Sequence, residues 1–260
     1  MTRIRLLSTL TATALAWAGA TDAHAADKWA TIKGQVVFPA DKPVPEKKEI
    51  NVTADKEHCL SKGALVGDEL IVNPKNKGVK NVWVYLKPAE GDTFAAGDIA
   101  PALAKTAAKE HMVDQPVCAF APRIVVARAG DTLLVKNSSP VPHNIKFSSD
   151  NLEFNQTLAA GGSFKPEKAL EAQKNPATFA CNIHPWMNGR VVIFDHPYFA
   201  LTDADGNFEI KDAPEGKFRI FYRHENGYHK GKDGAKGFPV DIAGPTLEMK
   251  PLEIVLPENK

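Results

Sequence analysis

Short runs of alternating apolar and polar residues recur along most of this chain, which is the period of half-buried β-strands. They fall at Thr31–Phe38, Val79–Leu86, Arg123–Ala129, Thr132–Lys136, Arg190–Phe194, Lys217–Tyr222 and Leu252–Leu256. Gly, Pro, Asn and Asp punctuate them, as turns require. One stretch departs from this pattern. From Ile99 to Glu110, Ala and Lys dominate and Pro101 stands where a first helical turn takes proline, so a short helix or an alanine-rich linker is expected there. No internal repeat or heptad is visible, and the expected class is all-β.

Composition changes this picture little. The chain has 260 residues, enough for one large or two ordinary domains, with 43% hydrophobic and 24% charged residues and a net charge of +1. That balance gives no electrostatic ground for nucleic acid or an anionic membrane as partner. The Lys-rich stretches at Lys75 to Lys80 and Lys230 to Lys236 sit among Gly and Asn and read as solvated loops. At the N-terminus, Arg3 and Arg5 precede an apolar run from Leu6 to Ala20, and Ala23-His24-Ala25 offers small residues for cleavage. This is a signal-peptide pattern over residues 1–25, too short and broken for a comfortable membrane span. The expected mature protein starts near Ala26 and resides in a bacterial periplasm.

An oxidising compartment makes three cysteines informative, because thiols pair there and an odd count leaves one over. Cys181 has a metal-ligand neighbourhood; Cys59 and Cys118 have none. The economical assignment is a Cys59–Cys118 disulfide and a metal-bound Cys181.

Residues 113–195 read as a unit. Phe120-Ala-Pro122 leads into a strand, Ala129-Gly130-Asp131 turns it, and the return strand runs into Ser139-Pro-Val-Pro-His143-Asn144. A later strand ends in the run CNIHPWM, residues 181–187. The stretch GDTLLVKNSSPVPHNIKF resembles the plastocyanin strand and loop that deliver a first copper histidine. CNIHPWM resembles the Cys-x-x-His-x-x-Met ligand loop of amicyanin-like cupredoxins. The resemblance implies a Greek-key β-sandwich holding one type 1 copper ion through His143, Cys181, His184 and Met187. Two imidazoles and a thiolate in a near-trigonal plane, with a weak axial thioether, tolerate both copper oxidation states. It further implies that Asn144 ties the two ligand loops together. Because the ligand loop joins two strands at one end of the sandwich, His184 is expected to be the ligand nearest solvent, with Pro142, Pro185 and Trp186 as an apolar docking rim; an inward-packed Trp186 is the other arrangement.

The flanks resemble a different module. GQVVF and VKNVWVYL before the copper unit, and ALTDADGNFEIKDAPEGKFRIFYRHENGY after it, are similar to the carboxypeptidase-regulatory-like β-sandwich. Residues 29–112 plus 196–256 then form a second sandwich into which 113–195 is inserted; simple tandem order is the other arrangement.

The function expected from these readings is a periplasmic blue-copper protein that passes single electrons to and from a protein redox partner, and is not an enzyme. Two rivals stand beside it. One is a copper-dependent scaffold whose sandwich recognises a partner or carbohydrate. The other is a copper oxidase or reductase, which would need a further convergent histidine set. Structural zinc sites rarely use Met, no Cys-x-x-Cys-His haem signature occurs, and the Asp203/Asp205/Gly206 run lacks the downstream Glu of a calcium loop. His224 and His229 flank a Gly-containing turn and are a candidate pair for a second metal; His58 reads as a surface residue, His111 ends the alanine-rich segment where a histidine suits a helix C-terminus, and His196 stands where it would line the junction with the sandwich.

Overall fold

A computed structural model describes residues 28–256. The expected signal peptide, residues 1–25, lies outside the described residues. Strands β1 (Trp29–Val37) and β2 (Trp83–Pro88) come first. Eight follow: β3 (Glu110–Val113), β4 (Ile124–Arg128), β5 (Thr132–Lys136), β6 (His143–Ser148), β7 (Glu153–Leu158), β8 (Ser163–Phe164), β9 (Ala177–Ala180) and β10 (Asn188–Phe194). The chain ends with β11 (Phe199–Leu201), β12 (Asn207–Pro214), β13 (Gly216–His224), β14 (Gly227–Tyr228), β15 (Phe238–Ile242), β16 (Thr246–Glu248) and β17 (Leu252–Glu253). The fold is all-β.

Pairing sorts the strands by sequence position. β12, β1 and β16 form one sheet with β17 also on β1, and β11, β2, β13 and β14 form another with β15 on β13. The eight strands between pair among themselves, as β4-β10-β9-β6-β7 and as β3-β5-β8. Each group has its own apolar core. Ile32, Val36, Val84, Leu86, Ile210 and Ile220 belong to the outer one. Val125, Val135, Ile145, Phe147, Phe179 and Val191 belong to the inner one.

Strand β2 shows how the two groups meet. Its four residues Trp83 to Leu86 are all buried, although alternate residues point to opposite faces. Val84 and Leu86 face the outer core. Trp83 and Tyr85 join Phe221 of β13, Ile124 of β4 and Val192 of β10 in a third apolar cluster between the sheets. A strand covered on both faces reads as a continuous apolar run, which is what VWVYL is. Across this seam the buried Arg123 reaches into the other group: its guanidinium pairs with both oxygens of Glu225, while it also meets Asp68 at 3.1 Å and, within its own group, donates to Asn188 Oδ1 at 2.7 Å.

The alanine-rich stretch carries only one helical turn, Pro101–Ala104, after a 3₁₀ turn at Ala96–Asp98, and its end, Glu110, opens β3. A helix this short is marginal in water, and tertiary partners take over its backbone. Arg128 donates to Leu103 O at 2.6 Å, and the Tyr198 hydroxyl donates to Asp98 O at 2.7 Å while accepting from Ala100 N at 2.9 Å. His111, expected at a helix end, lies instead in β3 with its Nε2 2.8 Å from Asp131 Oδ2. The Asp203/Asp205 run is a turn: Asp203 Oδ1 accepts from Asp205 N and Asn207 N at 2.9 and 2.8 Å. Gly206 there has φ 78°, and a Cβ on it would meet Val36 O at 2.2 Å, so only glycine fits.

Candidate metal centre

Two strand ends and one loop build the site. His143 opens β6, and Cys181 to Met187 form the loop from β9 to β10. That loop is fixed by its own backbone: Met187 N donates to His184 O at 2.9 Å and Cys181 N to Met187 O at 3.1 Å. Asn144 bridges the two pieces. Its Oδ1 accepts from Asn182 N at 2.6 Å, from Ile183 N at 3.3 Å and from the Cys181 thiol at 3.3 Å. Its amide nitrogen donates to Asn155 Oδ1 at 2.7 Å, which orients the group.

His143, Cys181, His184 and Met187 are all buried. His143 Nδ1 lies 4.0 Å from Cys181 Sγ and His184 Nδ1 lies 3.7 Å from it. The three ligand atoms fall within 4.8 Å of one another. Such separations are long for strong hydrogen bonds. Metal bonds of about 2.3 Å to sulfur and about 2.0 Å to nitrogen, set about 120° apart, place the two donors about 3.7 Å from each other. The donor set would therefore hold a thiophilic first-row ion. Burial, reinforced by His184 and His58 nearby, lowers His143 to about 4. Burial likewise lowers His184, although Asp55 pulls it the other way. Both imidazoles are thus neutral near neutral pH, the form that binds metal.

The expected pairing of Cys59 with Cys118 is present, and Cys181 is the free cysteine. The surroundings of His184 differ from expectation. Its side chain is fully buried, not the ligand nearest solvent, and its Nε2 lies 2.9 Å from Asp55 Oδ2. Asp55 precedes a single helical turn, Lys56–Cys59, that lies over the ligand loop. Val52 and Cys59 of this segment belong to the inner core, with Ile50 and Leu65 packed against it. Sequence position had placed these residues with the outer sandwich. Trp186 is half-buried, donating from Nε1 to Cys118 O at 3.0 Å, so it packs inward and is not part of an exposed rim; Pro142 and Pro185 are exposed. Nothing in the pattern around Asp55 marks it as a neighbour of the loop. The signal that was available is Cys59, whose partner Cys118 lies just before β4.

The remaining histidines stand apart. His224 Nδ1 accepts from Asn226 N at 3.3 Å and His229 Nδ1 from Val255 N at 3.0 Å. Among the described residues, neither belongs to a group of ligand atoms spaced for a metal. His196 is buried beside Phe94, Phe194 and Phe199, and burial first, then Lys87 and Arg128, lowers it to about 3. No helix among the described residues is long and apolar enough to cross a membrane.

No known family profile matches the chain, and no curated protein matches it in sequence. Among solved structures it is similar to a purple cupredoxin from Nitrosopumilus maritimus, at 24% identity and TM-score 0.27, over 32% of this chain and 97% of that one. It is also similar to a reduced amicyanin mutant, at 21% identity and TM-score 0.28, over 42% of this chain and 98% of that one. An oxidised amicyanin mutant gives 19% identity and TM-score 0.28, over 42% and 97%. Scores this low show neither family nor function.

Proposed function

We propose that the chain is a periplasmic blue-copper protein that holds one copper ion through His143, Cys181, His184 and Met187 and exchanges single electrons with a protein partner. One observation carries this reading: two buried imidazole Nδ1 atoms lie 4.0 and 3.7 Å from one buried thiol, in a loop that also buries Met187. Bound there, copper supplies a one-electron couple. The protein's part is to hold the ligands so that neither oxidation state needs rearrangement. Asn144 pins Cys181 and His143 to each other's strands, and the loop's own hydrogen bonds fix His184 against Cys181. Outer partners of this kind orient ligands and tune their metal.

The strands outside the copper unit read as a carboxypeptidase-regulatory-like sandwich carrying that unit as an insertion. The pairing of β1 and β2 with strands after residue 196 supports it, since insertion at an exposed loop is thermodynamically mild. The Arg-led apolar N-terminus and the Cys59–Cys118 disulfide support export.

Voltammetry of the copper-loaded protein tests the carrier reading. A reversible one-electron wave is expected, with Met187→Leu shifting its midpoint while leaving reversibility intact. An irreversible response, or none, would remove electron transfer as the function.

A further inference from the structure

The outward side of the ligand loop is closed by chain from far upstream. His184 Nε2, the ring nitrogen turned away from Cys181, lies 2.9 Å from Asp55 Oδ2, and its side chain is fully buried. Asp55 adopts a left-handed backbone, φ 45° and ψ 41°, and its carbonyl accepts from His58 N at 3.1 Å and Cys59 N at 2.8 Å. That geometry starts the Lys56–Cys59 turn and sends the carboxylate toward the loop. The left-handed region is costly for most side chains and tolerated by Asp. The far end of the turn is bolted down, because the sulfurs of Cys59 and Cys118 both lie within 4.8 Å of a ring nitrogen of His184. Trp186 completes the enclosure, its ring edge-on to His184 at 5.2 Å and its Nε1 bonded to Cys118 O.

We infer that Asp55 is a positioning residue for His184, and that the turn Asp55–Cys59 is a fixed cap that keeps small ligands from the metal. The inference rests on the copper reading above. A carboxylate can only accept, so the imidazole must carry its proton on Nε2 and present the Nδ1 lone pair to the metal. A negative charge one hydrogen bond beyond the ligand ring also favours the more positive oxidation state, which lowers the midpoint potential. With His184 covered, electrons do not pass to a partner through an exposed imidazole edge. They cross the cap or leave through another face.

Four proteins test this: wild type, Asp55→Asn, Asp55→Ala and Asp55→Glu. In the metal-free proteins, ¹⁵N NMR should find the His184 proton on Nε2 in wild type and Asp55→Glu, and a mixture of tautomers in Asp55→Ala. In the copper-loaded proteins, Asp55→Asn should have a higher midpoint potential and lose copper to a chelator several-fold faster, with Asp55→Glu recovering part of both. Azide should change the visible spectrum of Asp55→Ala and leave wild type unchanged. Coloured variants equal to wild type in potential, copper retention and azide response would overturn the positioning role, as would a mixed His184 tautomer in wild type. A wild-type protein that takes up no coloured copper would instead overturn the copper reading, and the tautomer measurement on the metal-free chain would still decide the role of Asp55.

Discussion

Single side chains at the candidate metal centre have separable tasks, and the same holds for polar residues elsewhere in the inner group of strands. Asp131 is the clearest case. It is buried in the turn between β4 and β5, where its carboxylate accepts from Lys109 N at 2.8 Å, Arg128 N at 2.9 Å and pairs with His111. Burial pushes this carboxyl up, but the Arg128 and Lys109 amides and His111 win and hold it below its ordinary value. A lowered folded pKa means the unfolded chain binds the proton more tightly. The stabilisation is therefore complete above the ordinary carboxylate range and is lost as pH falls through the lower folded value. Asp131→Asn keeps the shape but turns an acceptor into a donor, and should cost about 1–3 kcal/mol at neutral pH. Denaturant melts should show that difference shrinking under acid conditions; a difference independent of pH would show that the charge is not what matters. At this scale the convergence of His143, Cys181 and His184 in one buried group was legible, because the Cys181–Met187 loop carries a chemical spacing. Asp55 was not, because a lone Asp in a polar stretch carries no spacing signal, and its role exists only once the chain has folded back across the site.

Between elements, the decisive contacts are polar as well as apolar. Arg123 and Glu225 are nearly fully enclosed, with side chains 6% and 7% exposed. They link the start of β4 to the β13–β14 hairpin. Removing one partner of such a pair leaves a buried charge and typically costs 3–5 kcal/mol, whereas removing both costs far less. Arg123→Met should therefore destabilise by about 3–5 kcal/mol, and Arg123→Met with Glu225→Gln should recover a good part of it. A double-mutant cycle from chemical denaturation measures the coupling; additive effects would mean the pair does not act as a unit. The disulfide, with a sequence separation of 59, contributes about 4 kcal/mol in the chain-entropy picture. Strands were the elements most readily read from sequence. Thr132–Lys136 matches without adjustment, and the others shift by a few residues at their ends. Of the short helix or alanine-rich linker expected over Ile99–Glu110, one helical turn forms within a linker, and Arg128 and Tyr198, distant in sequence, supply partners for its backbone. Local composition cannot show that.

For the whole molecule, the two groups of strands meet along the face shared by β2, β13, β4 and β10, and the ligand loop, whose Cys181 and Met187 belong to the inner core, is covered by the Asp55–Cys59 turn. Chain from before residue 60 thus packs against a unit whose strands begin at Glu110. This arrangement builds the proposed copper site from parts of the chain distant in sequence, and copper uptake should depend on both the loop and the cap. The most direct measurement is the visible spectrum of the full-length protein with its copper content determined in parallel. The account predicts one copper per chain and an intense charge-transfer band from the Cys181 thiolate, absent in Cys181→Ser. A wild-type protein that binds one copper and stays colourless would contradict it.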